Sequence, residues 1–200
     1  MKSMSEEPCN ILLVVGSLHE NSVTRVAINH LADNLSTAGC EVNTLDFIED
    51  PLPLFNPDTV WDQDYYPILK KQILEADVIV LGTPDYHGSI SSTLKNFLDH
   101  FWKEFAGKLF ATVVASHEKG LTVHDQLRTV ARQCYAWAMP YGVSFLEKVD
   151  VKDGKIASEE LENRLEMLQN DIQIYGRILS AQRAADLSGT HPGFMAQYRK

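Results

Sequence analysis

The chain has 200 residues, enough for one domain whose core needs no covalent staples. Hydrophobic residues at 44% and charged residues at 22% are ordinary globular values, and the longest strongly apolar run, residues 11–15, is far too short to span a bilayer. The formal net charge of −9, with no Lys/Arg cluster, argues against nucleic acid or an anionic membrane as partner.

Apolar runs alternate with helical patterns from end to end. Residues 11–15 (Ile-Leu-Leu-Val-Val) make a buried-strand run that stops at Gly16. Val26, Ala27, Leu31 and Leu35 then recur at helical spacing, and Gly39 closes the helix. Residues 40–47 alternate as a strand, with Val42, Leu45 and Phe47 among polar neighbours, before a loop punctuated by Pro51, Pro53 and Pro57. Tyr65, Ile68, Leu69, Ile73 and Ala76 form a second helical stripe, and residues 78–81 a strand ended by Gly82-Thr-Pro84. A third helix is expected to bury Leu94, Phe97, Leu98, Phe101 and Phe105, with Trp102 beside that wide stripe and available to a second subunit. Residues 109–115 read as the fourth strand, and Leu127, Val130, Ala131, Cys134 and Trp137 as the fourth helix. Residues 142–151 read as the fifth strand, followed by a turn at 152–155. The last helix carries Leu161, Leu165, Leu168, Ile172, Tyr175 and Leu179; Ser158 precedes it without a full capping box. Residues 180–200 read as a polar tail or an oligomerisation arm.

Strands alternating with helices imply βαβ units with right-handed crossovers. Five such units predict one α/β domain over residues 1–200: a doubly wound five-stranded parallel sheet, order 2-1-3-4-5, with helices on both faces. The cysteines Cys9, Cys40 and Cys134 contain no CxxC pair, and the histidines form no HExxH motif, so neither a disulfide framework nor a metal site is expected. The short acidic N-terminus lacks the order of a signal peptide, and a cytoplasmic location is expected.

In such sheets ligands bind beyond the carboxyl ends of the strands, where strand order reverses. Three loops leave strand ends there. In Gly16-Ser-Leu-His-Glu-Asn-Ser-Val-Thr-Arg25, Ser17, Asn21, Ser22 and Thr24 offer hydroxyl and amide donors beside a helix N-terminus. That combination can hold a phosphate without a basic patch; the alternative is that Ser22 only caps the helix. In Thr83-Pro-Asp-Tyr-His-Gly-Ser-Ile-Ser-Ser-Thr-Leu-Lys-Asn96, Pro84 and Gly88 shape a turn and Tyr86 offers an aromatic face; the alternative is a structural turn with Ser89 to Ser92 as caps. Ser116, His117 and Lys119 in the third loop are candidate donors to a ring system, or a plain polar connection.

At these loops the sequence resembles the NADPH-dependent FMN reductase family, which carries a GSxRxxSxN/T-type phosphate loop and a TPEYNGSIPGxLKNxxDW segment. Leu52-Pro-Leu-Phe-Asn-Pro-Asp58 also looks like that family's loop after strand two. The resemblance implies a flavodoxin-like fold, a homodimer or homotetramer, and one FMN per subunit. It places the FMN phosphate on Ser17, Ser22 and Thr24, beside His19 and Asn21, and the isoalloxazine along Pro84, Asp85, Tyr86, His87, Gly88 and Ser89, with Ser116 on the far side. NADPH or NADH would give hydride to the flavin, which passes electrons to a flavin, quinone or other small acceptor, with no side chain required as catalytic acid or base. The alternatives are a flavodoxin-like electron carrier and a flavin-less regulatory homologue. His19 stands where the family has Arg, and His87 where it has Asn.

Overall fold

The computed structural model describes residues 8–117 and 120–199. β1 (Asn10–Val15), β2 (Glu41–Asp46), β3 (Val78–Pro84), β4 (Leu109–Ala115), β5 (Trp137–Ala138) and β6 (Val143–Phe145) form a parallel sheet in the order β2-β1-β3-β4-β5, with β6 also on β4. The central strands are buried on both faces, which is why they read as nearly unbroken apolar runs. Ile11, Leu13, Val15, Val78, Val80 and Val113 pack with α1 (Val23–Thr37) and α6 (Glu159–Ser188). Leu12, Val14, Ile79, Leu81, Phe110 and Val114 point the other way, toward α2 (Tyr65–Glu75), α3 (Ser92–Asp99) and α4 (Leu121–Gln133). The doubly wound order expected from the sequence is therefore the order observed.

Several boundaries differ from the expectation, each for a local reason. The third helix stops at Asp99. His100 Nδ1 donates to the Asn96 carbonyl at 2.7 Å and its amide turns to Phe97 O, so the side chain takes the helical acceptor. Phe101 and Phe105 are buried from the segment beyond, in an aromatic cluster with Tyr66, Phe97 and Phe110. The wide stripe is thus consumed inside the chain, and only Trp102 stands out, 59% exposed.

Trp137 is not helical: α4 ends where Tyr135 adopts a left-handed φ of 57° and Ala136 N donates back to Ala131 O, a cap that glycine usually fills. Trp137 then pairs with Leu109 as the short β5. The expected fifth strand over 142–151 shrinks to β6, because Val149 N and Asp150 N bond back to Leu146 O and start the one-turn helix α5 (Glu147–Asp150). A hairpin of β7 (Val151–Lys152) and β8 (Lys155–Ile156) follows, its turn at Asp153 and Gly154 as read from the sequence. Nor is the region after Ser180 a loose tail. α6 runs to Ser188, and Phe194 returns to stack on Tyr135 while Met195 is buried. Among the described residues no helix is long and apolar enough to cross a membrane.

Candidate functional site

Parallel register aligns the strand ends that carry the three loops: Val15 lies beside Gly82 and Asp46, and Pro84 beside Ala115. The β1–α1 loop is pinned at its start. Gly16 N donates to Gly82 O at 2.8 Å, and Ser91 Oγ, which also caps α3, donates to Gly16 O at 2.5 Å. Farther on, the His19 amide donates to Ser17 Oγ at 3.4 Å and the Asn21 amide to His19 Nδ1 at 3.1 Å. Ser22 caps α1 by accepting from the Arg25 amide at 3.2 Å. Ser17, Ser22 and Thr24 are all buried. Thr24 Oγ1 is buried and has no hydrogen-bond partner among the described residues; it lies in the first helical turn, whose amides have no acceptor within the helix. A native hydroxyl left so calls for a missing partner.

The β3–α3 loop folds around Asp85. Its Oδ1 accepts from the Gly88 amide at 2.7 Å and its Oδ2 from Ser116 Oγ at 2.8 Å, tying this loop to the one after β4. Tyr86 and Ser89 exchange backbone hydrogen bonds across a tight turn, and both central residues, His87 and Gly88, have φ near +60° to +80° (59° and 77°). That is the pattern of a type I′ turn. Asn and His are among the few side chains that tolerate the left-handed region, which accounts for His87 in a position where the resembling family has Asn.

Ser17, His19, Asn21, Ser22, Thr24, Pro84, Asp85, Tyr86 and Ser116 all line one cleft of about 230 Å³. His87 and Gly88 line an adjoining hollow of about 500 Å³ that shares Asp85, Ser116 and His117 with the cleft. Ser89 lines neither; its hydroxyl donates to Gln126 Oε1 at 3.0 Å. Lys119 lies outside the described residues. A larger open groove of about 880 Å³ runs along the outer side of the first loop between α1 and the β7–β8 hairpin; it shares Asn21, Ser22 and Val23 with the cleft but not Ser17 or Thr24.

Residues 9–150 match the NADPH-dependent FMN reductase family. The chain belongs to that family. An FMN-dependent NADPH-azoreductase from Staphylococcus aureus is 29% identical over 137 residues, 64% of this chain and 72% of the relative. The flavoenzyme NAD(P)H:(acceptor) oxidoreductase of Paracoccus denitrificans superposes with a TM-score of 0.69 at 19% identity, covering 84% of this chain and 97% of that one. A flavodoxin of Streptococcus pneumonia TIGR4 superposes with a TM-score of 0.60 at 18% identity, covering 84% and 99%. The flavodoxin-like fold, FMN as cofactor with NADPH as donor, and NAD(P)H-dependent oxidoreductase activity, all expected from the sequence, stand on this membership.

In this FMN reductase several residues that shape the cleft escaped sequence reasoning. Gln126 of α4 holds the turn, accepting from Ser89 Oγ and the Ile90 amide and donating to Gly88 O at 3.2 Å. Glu147 lines the cleft from α5. Asn96, part of the family segment, points away from the cleft and pins the proline loop by accepting from Phe55 N at 2.8 Å and donating to Pro53 O at 2.9 Å. No spacing signal marks Gln126 or Glu147, because they reach the site only through tertiary packing.

Proposed function

We propose that the cleft holds one FMN, with its phosphate at Ser17, Ser22 and Thr24, flanked by His19 and Asn21, and its ring system along Pro84, Asp85, Tyr86, His87, Gly88 and Ser89, with Ser116 opposite. The observation that carries this reading is the buried, unpartnered Thr24 hydroxyl at the N-terminus of α1. A phosphate there would accept from that hydroxyl and from first-turn amides, aided by the helix dipole. When bound, FMN supplies hydride and electron transfer. The chain's own residues bind and orient: Asp85 fixes the turn, Gln126 braces it, and Ser89 contributes backbone only, since its hydroxyl is committed. The acceptor is a small molecule such as an azo compound, a quinone or free flavin, entering by the open hollow. Exposed Leu18, Tyr86 and Leu121 suit a second copy of the chain, and a cytoplasmic homodimer or homotetramer completes the reading.

The direct test is Thr24→Val. Removing a hydroxyl that has no partner among the described residues should leave the melting temperature of the apoprotein unchanged or higher. A hydrogen bond to a charged group is worth about 1.5–3 kcal/mol, so FMN affinity should fall roughly tenfold to a hundredfold. Equal FMN affinity in the variant and the parent would rule out this phosphate site.

A further inference from the structure

Arg25 faces the outer groove and not the cleft. A guanidinium has five N–H donors, and here each has an acceptor. Nε donates to Asp46 Oδ2; Nη2 donates to Asp46 Oδ1 at 3.0 Å and Ser17 O at 3.2 Å; Nη1 donates to His19 O at 2.8 Å and Glu20 O at 3.1 Å. Asp46 ends β2, where register sets it beside Val15, and it also accepts from the Ile48 amide at 3.1 Å. Burial would raise the Asp46 carboxyl, but the hydrogen bonds from Arg25 and Ile48 outweigh it and hold the group below its usual value. The pair stays ionised, and the Arg25 charge is spent on Asp46.

A trans peptide points its C=O and N–H to opposite sides. Holding the carbonyls of Ser17, His19 and Glu20 on one side therefore turns the amides of Leu18, Glu20 and Asn21 to the other, where the Asn21 amide is taken by His19 Nδ1 and those of Leu18 and Glu20 are left to face a ligand. We infer that Arg25, braced by Asp46, is a positioning residue: it draws the loop carbonyls outward so that the phosphate meets hydroxyls and amides, and it does not touch the phosphate itself. This rests on the FMN reading above.

The experiment titrates apoprotein with FMN and, separately, with riboflavin, which lacks the phosphate, following quenching of flavin fluorescence. The parent should prefer FMN. Arg25→Gln should weaken FMN roughly tenfold to a hundredfold, the scale of losing charge-assisted hydrogen bonds, and leave riboflavin affinity unchanged. Arg25→Lys should not rescue, because one ammonium cannot span three carbonyls and a carboxylate. Should Arg25→Gln fail to fold, Asp46→Asn, which turns one donor against the guanidinium, should show a smaller loss in the same FMN-only pattern. Full FMN affinity in Arg25→Lys would overturn the proposal in favour of a direct charge contact. Equal losses for both flavins would overturn it in favour of a general structural role. A parent that binds FMN no better than riboflavin would instead overturn the phosphate site itself.

Discussion

Ser22→Asp is expected to leave the protein folded and to abolish useful FMN binding. Asp caps helices as well as Ser does, and among the described residues the one hydrogen bond Ser22 Oγ makes is the capping one, from the Arg25 amide. The melting temperature should therefore hold. In the cleft the same change sets a carboxylate against a phosphate dianion. At an effective dielectric of 20, unit like charges about 4 Å apart repel by about 4 kcal/mol, which corresponds to about a thousandfold in affinity. Ser22→Ala makes the contrast: it should lower stability by about 1 kcal/mol through the lost cap. Thermal melts and FMN titrations of both variants separate the effects. A folded Ser22→Asp protein that takes up FMN normally would contradict the assignment of this loop.

Gly16→Ala should be the most damaging small substitution near the site. A Cβ at Gly16 would lie 2.7 Å from the Gly82 carbonyl oxygen and 2.8 Å from Leu94 Cβ. Neither is the free end of a flexible side chain. Relief requires β1 to separate from β3 or α3 to retreat, which would break the Gly16–Gly82 hydrogen bond at 2.8 Å and the Ser91–Gly16 bond at 2.5 Å. Overpacking a tight core costs about 1–3 kcal/mol, and with those bonds strained about 3 kcal/mol is expected. For a chain of this size that lowers the melting temperature by about 6–12 °C. Urea unfolding at one temperature checks it independently, and an unchanged midpoint would show that β1 and α3 are less tightly joined than described.

The sheet was legible because parallel strands buried on both faces must be apolar throughout, as residues 11–15, 78–81 and 109–115 are. What was not legible depended on side chains that act on the backbone locally. His100 takes a helical carbonyl and ends α3; Tyr135 fills a left-handed cap with no glycine to announce it. The site divides in the same way. The hydroxyls of the first loop and the turn at residues 84–89 are contiguous in sequence, so they could be read. Arg25 was visible only as the last residue of the loop segment, since its partner Asp46 comes 21 positions later, and Gln126 reaches the turn from 37 residues beyond Ser89. Only the strand register and the packing of α4 join them.

The flavodoxin likeness shows the shared fold and leaves the activity to a single decisive measurement. Purified protein should be loaded with FMN, freed of oxygen and mixed with NADPH alone, and the visible flavin absorbance followed in time. Rapid bleaching without any partner protein is the predicted result for an NADPH-dependent FMN oxidoreductase. Flavin that stays oxidised under NADPH, yet is reduced when a reductase protein is added, would mark an electron carrier and contradict the account.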